Sequence, residues 1–159
     1  MDRYNQILTH PGYIERVKKL RQLEKDRMFC RHDITHFLDV ARIMYIISLE
    51  NGNNIDKDII YASALLHDTG RVEQYNESIP HHIASVSFAR SVLPDCGYSQ
   101  EEIEEICFAI YNHRNNAEGE SKLSELLFSA DKLSRLCFDC SAEKDCYWDD
   151  TLKNNYIRY

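Results

Sequence analysis

Residues 59–71 read Ile59-Ile60-Tyr61-Ala62-Ser63-Ala64-Leu65-Leu66-His67-Asp68-Thr69-Gly70-Arg71, an apolar run that closes on two ionisable side chains. Ile59, Ile60, Ala64 and Leu65 recur at helical spacing, so a helix is predicted from just after Asn54 up to His67-Asp68, with Gly70 as its stop. An uncompensated buried carboxylate at its end would cost several kcal/mol or neutralise itself. Ala64 lies one turn behind both His67 and Asp68, and so small a residue lets other groups approach the pair.

The flanking sequence repeats the helical pattern. Pro11 opens a first helix running to about Met28, with Ile14, Val17 and Leu20 on one face. Asp33 caps a second, which ends at Glu50 before Asn51-Gly52 and turns His36, Val40, Met44 and Ile47 inward. After the central run, a helix from Pro80 to Leu93 carries His81, Ala84, Ser85 and Phe88. Ser99 and Glu102 form a capping box ahead of Ile103, Ile106 and Ile110. A sixth helix runs from Ser121 to about Phe138, and a short one is expected around residues 149–155. No segment alternates with a period of two, so the fold class is all-α, a bundle of about six main helices.

Several ionisable groups share these inward faces. His36 lies on the stripe with Val40 and Met44, His113 continues the line of Ile103, Ile106 and Ile110, and Asp131 interrupts Leu126-Leu127-Phe128-Ser129-Ala130. Taken singly, a histidine on an apolar face is ordinarily a hydrogen-bonded core residue. Five helices that each turn a histidine or aspartate inward are explained together by one shared cation.

Composition bounds the rest. A chain of 159 residues, 43% apolar and 28% charged, supports one domain with one core. The net charge of −7 argues against binding a nucleic-acid polymer, whose phosphates are held by Lys and Arg. Phe37 to Leu49, the most apolar stretch, is interrupted by Asp39 and Arg42, so no membrane span is expected. The start, Met1-Asp2-Arg3-Tyr4-Asn5, has no apolar leader, which makes reduced cysteines in a cytoplasmic setting the expectation.

The order His36, His67-Asp68, His81, His113, Asp131 resembles the HD superfamily of metal-dependent phosphohydrolases. The resemblance rests on His36-Phe37-Leu38-Asp39-Val40-Ala41, on Ala64 to Arg71, and on Ser129-Ala130-Asp131-Lys132-Leu133. It implies a single domain over residues 1–159, with a core at about 30–135, an N-terminal helix at about 11–28 and a cysteine-containing extension at about 137–159. It also implies His36, His67, Asp68 and Asp131 on one metal, and a second ion held with His81 and His113. Asp68 would bridge the two, since a carboxylate has two oxygens, and catalysis would depend on it. His82 competes with His81, and the Pro80-His81 opening with Ser85 four residues on favours His81. Mixed nitrogen and oxygen ligands suit divalent iron, manganese, nickel or zinc. Two such ions about 3.5–4 Å apart activate a water toward phosphorus. Arg71 and Arg135 are the candidate contacts for a further phosphate oxygen, with Arg31 a weaker third; each serves equally well as an ion-pair partner.

The expected substrate is a small, phosphorylated, nucleotide-like molecule, and a homodimer is an assembly the sequence leaves open. Thr69-Gly70-Arg71-Val72-Glu73-Gln74 lacks the paired acids of alarmone hydrolases, and no Gly-Tyr-Pro signature of cyclic-dinucleotide phosphodiesterases occurs. The ligand order looks most like small dinucleoside-polyphosphate hydrolases, although the surrounding strings differ. Cys137, Cys140 and Cys146, with Cys30 as a fourth, have spacing that a separate structural zinc could use; the alternative is ordinary loop thiols. A regulatory module without turnover is the rival reading, and a plain helical interaction domain leaves the inward His and Asp residues unexplained.

Overall fold

The computed structural model describes residues 2–115 and 121–159; Met1 and residues 116–120 lie outside the described residues. Among the described residues every regular element is helical. The elements are α1 (Arg3–Thr9), α2 (Pro11–Leu23), α3 (Ile34–Glu50), α4 (Lys57–Leu66), α5 (Arg71–Glu77), α6 (His81–Val92), α7 (Gln100–Asn112) and α8 (Lys122–Leu133), with short 3-10 turns at Pro94–Cys96, Cys137–Asp139 and Glu143–Asp145.

The stretch 59–71 fixes the middle of the bundle. From Ile59 to Leu66 every residue except Tyr61 is buried, so α4 is apolar all round and other helices must surround it. It packs against α1, α3, α6, α7 and α8, and α8 closes the bundle between α3 and α7. Phe37, Val40 and Met44 of α3, Ile106 and Ile110 of α7, and Leu123 and Leu127 of α8 complete the core around it. No helix among the described residues is long and apolar enough to cross a membrane.

The caps follow the sequence. Asp33 accepts from the backbone N–H groups of Thr35 and His36, and Ser99 and Glu102 form both halves of the capping box. Two helix ends, one expected helix and two additional helices differ from expectation. The first predicted helix stops at Leu23, because Glu24 turns inward and its carboxylate accepts the backbone N–H of His32 at 2.7 Å. The sixth stops at Leu133, where the Ser134 hydroxyl donates to the Asp131 carbonyl at 2.7 Å. Residues 149–155 form turns built on the Asp149 side chain instead of a helix. The helices α1 and α5, seven residues each, were not expected. Too short to show periodicity or to stand alone in water, they are held by tertiary contacts.

Gly70 shows why α5 exists. Its φ of −73° needs no glycine, but an added Cβ would lie 2.2 Å from the His81 carbonyl oxygen and 2.3 Å from the Ser85 nitrogen. The glycine is therefore a crossing point where the turn after α4 touches the backbone of α6. The Gly70 N–H donates to the Ser85 hydroxyl at 2.8 Å, and the chain continues directly into α5.

Arg3 ties α1 to the bundle through two bonds to Glu102, of 2.7 and 2.8 Å, and one to Asp58 of 3.1 Å. The hydrogen bond from Arg3 pulls the Glu102 carboxyl down to about 2, against the opposing effect of burial and with help from Ser99. A folded-state pKa lowered from 4.5 contributes stability that is complete above that value and is lost as pH falls toward about 2. Arg3→Ala should cost about 1 kcal/mol at pH 7, a fall of roughly 3 °C in Tm. It should also make the loss of Tm between pH 5 and 2 shallower. Thermal melts across that range check both, and superimposable wild-type and variant curves would contradict them.

Candidate metal centre

His67 and Asp68 end the central helix, and the other helices bring their ionisable residues to them. His67 is the C-cap of α4 and His113 that of α7; His36 comes from the first turn of α3, His81 from the start of α6, and Asp131 from α8. His67, Asp68, His81, His113 and Asp131 are buried, and His36 is partly buried.

Around the two oxygens of Asp68 the donors fall into two groups. On one side, Asp68 Oδ2 lies 3.4 Å from His67 Nε2 and 3.9 Å from His36 Nε2, while Asp131 Oδ1 lies 3.4 Å from His36 Nε2 and 3.8 Å from His67 Nε2. On the other, Asp68 Oδ1 lies 3.2 Å from His81 Nε2 and 3.6 Å from His113 Nε2, with those two nitrogens 3.2 Å apart. Within each group all the donor atoms lie within 4.8 Å of one another. His82 packs instead against the Tyr111 ring, with centroids 5.4 Å apart.

Backbone and hydroxyl acceptors decide which imidazole nitrogen carries the proton. His67 Nδ1 donates to the Ala64 carbonyl at 2.7 Å and His113 Nδ1 to the Ile110 carbonyl at 2.5 Å, each one turn back in its own helix. The Ser134 hydroxyl gives its proton to the Asp131 carbonyl, so it accepts from His36 Nδ1 at 3.2 Å. All three histidines therefore turn a bare Nε2 lone pair toward carboxylate oxygens. His36 Nε2 and His67 Nε2 are buried with no hydrogen-bond partner. Lone pairs facing carboxylates repel unless a cation lies between them. Donors held at about 2.1 Å from a first-row divalent ion lie about 3–4 Å from one another, the spacing found here. The residues fit a divalent metal.

Electrostatics keeps the set in its ligating form. Burial alone would raise the Asp68 carboxyl, but the Arg71 guanidinium beside it holds it well below the ordinary carboxylate range. Burial pushes His81 down to about 3 even with Asp68 opposing, so His81 is neutral at physiological pH. Arg71 Nε sits 3.1 Å from Asp68 Oδ1, an inner ion pair with only the edge of its side chain open. Arg135 Nη2 lies 3.8 Å from Asp131 Oδ2. Arg31 points away and donates to the Lys25 carbonyl.

His32 escaped the sequence reading. It is buried, with Nε2 3.6 Å from Asp68 Oδ2, and its Nδ1 donates at 2.7 Å to Glu24, which also accepts from the Tyr75 hydroxyl at 2.7 Å. These donors hold the Glu24 carboxyl low although burial acts to raise it. His32 precedes the cap of α3 and lies off every periodic stripe, so spacing gives no signal for it. Ser134 was missed for the same reason.

Of the two readings of the cysteines, a structural zinc or ordinary thiols, the second fits. All six cysteines are free, and among the described residues no group able to hold an ion includes Cys30, Cys137, Cys140 or Cys146. These four thiols line one groove between the start of α3 and the residues after α8.

The HD-domain family model matches residues 33–136, the span that supplies all six of these side chains, and the chain belongs to that family. An uncharacterized protein of Clostridium beijerinckii is 43% identical over the full length of both chains. Ribonuclease Y of Oleidesulfovibrio alaskensis is 28% identical over 79% of this chain, which spans 22% of that enzyme; the Mycoplasma capricolum ribonuclease Y is 26% identical over a similar stretch. The crystal structure of a predicted HD superfamily hydrolase from an uncultured Thermotogales bacterium has the same fold. Its TM-score is 0.65, with 24% identity over 89% of this chain and 81% of that one.

Two variants test the reading of the site. Asp68→Ala, which removes the carboxylate common to both groups, should strip bound transition metal below one-tenth of the wild-type content in elemental analysis. Full metal content in that variant would sink the assignment. Ser134→Ala frees His36 Nδ1 and should weaken metal binding about 10–100-fold in competition with a chromophoric chelator, while the melting temperature changes little.

Proposed function

We propose that this chain is a metal-dependent phosphohydrolase that cleaves a phosphoester or phosphoanhydride bond in a small, nucleotide-like compound. The observation that carries this reading is Asp68, whose two oxygens each face a separate set of histidine nitrogens. In it, His36, His67, Asp68 and Asp131 hold one divalent ion, and Asp68, His81 and His113 hold a second. Divalent ions so placed supply Lewis acidity toward a phosphoryl oxygen and acidify a water molecule.

The protein's part is placement. The Ala64 and Ile110 carbonyls and the Ser134 hydroxyl set the tautomer of the three imidazoles, so that in the neutral ring Nε2 is the nitrogen free to bind. Arg71 compensates the charge of Asp68 from within the fold, so it is spoken for before substrate arrives. Arg135, at the edge of the site, is the better candidate to contact a phosphoryl oxygen. The Glu24–His32 pair is oriented by Tyr75 and presents His32 Nε2 beside Asp68, where it can hold a polar group of substrate or solvent.

The similarity to two ribonucleases Y supports a second reading, a phosphodiester at an RNA end. The net charge of −7 argues against a long polymer. Protein loaded in turn with manganese, iron, nickel or zinc, and offered nucleoside monophosphates, dinucleoside polyphosphates and a short oligoribonucleotide, separates the readings. The expected result is turnover of a small nucleotide, falling about a hundredfold or more in Asp68→Ala. Turnover of the oligoribonucleotide alone would favour the second reading, and no turnover with any metal would leave a regulatory module.

A further inference from the structure

Residues 137–159 lie beyond the stretch that matches the family model. They are not a loose tail. The Asn154 side-chain amide donates to the Lys132 and Arg135 carbonyls at 2.7 and 3.0 Å, and the Asn154 backbone carbonyl accepts the Phe138 N–H at 3.1 Å. This pins the extension to the end of α8 and forms a groove of about 430 Å³ between it and the start of α3. The groove is bounded by Met28, Phe29 and Leu136 and by the half-exposed Trp148, and it runs to His36 and Ser134. Its volume lies in the range of small-molecule sites, about 300–1,000 Å³.

Arg135 joins this groove to the metal centre. One edge of its guanidinium faces Asp131 at 3.8 Å, and its central carbon lies 3.7 Å over the Trp148 ring. Of the other two cations lining the groove, Lys153 pairs with Glu143 and Asp150 at 2.5 and 3.1 Å, and Arg31 donates to the Lys25 carbonyl at 3.1 Å. Asp33 and Asp39 add acidic character to the rim. Between Arg135 and Trp148 the groove offers flat, apolar and neutral polar contact.

We propose that this groove is the subsite for the organic part of the substrate, taking the planar nucleobase of a nucleoside phosphate against the Arg135–Trp148 stack while the phosphate lies toward His36 and Asp131. The proposal rests on the phosphohydrolase reading for the position of the phosphate, but its test does not require turnover. Trp148 is the chain's only tryptophan, so its emission reports the groove directly.

In metal-loaded protein, adenosine should quench that emission saturably and inorganic phosphate should not. By equilibrium dialysis, Trp148→Leu should weaken adenosine binding about tenfold or more at unchanged metal content, and Trp148→Phe should keep it within about threefold. Absence of quenching, equal quenching by phosphate, or unchanged binding in Trp148→Leu would each overturn the subsite. Adenosine quenching in protein that hydrolyses nothing would uphold the subsite and remove the hydrolase reading. Turnover of nucleotides without adenosine quenching would do the reverse.

Discussion

Bare imidazole nitrogens and carboxylate oxygens face one another at 3.4–3.9 Å in a buried site, and the rest of the structure is arranged around that conflict. Lone pair against lone pair is unfavourable in water and more so in a low-dielectric interior. The Nδ1 partners fix the tautomer of His36, His67 and His113, which leaves Nε2 as the nitrogen that faces the carboxylates. A shared cation relieves all the contacts at once.

Helix ends do much of this positioning. The last carbonyls of a helix have no partner within it. At α4 and α7 a histidine at the C-cap donates back to the carbonyl three residues earlier, so one bond both finishes the helix and fixes the tautomer. The ligand's direction is then set by a rigid helix end, which holds a donor more closely than a loop would. Gly70 allows the next segment to pass in contact with α6 and brings His81 to the opposite side of Asp68.

Much of this was legible in the sequence because it is periodic. The apolar run from Ile59 to Leu66 dictates a buried helix, and inward stripes on its neighbours place His36, His113 and Asp131 on core faces. The HD resemblance then supplied the grouping, which spacing alone could not. What stayed hidden depends on contacts made only in three dimensions. Gly70 looks like a helix stop but serves a backbone crossing, α1 and α5 are too short to show a period, and His32 and Ser134 work from turns. For the cysteines, spacing left a structural zinc and ordinary thiols both open, and only the structure, in which no group able to hold an ion includes them among the described residues, separates the two.

The most direct measurement is anomalous diffraction from crystals of the protein loaded with manganese or zinc, collected on both sides of the metal's absorption edge. The account predicts two peaks flanking Asp68, one within bonding distance of His36, His67 and Asp131 and the other of His81 and His113. A map with no peak among these side chains, in protein shown to be folded and exposed to the metal, would contradict it.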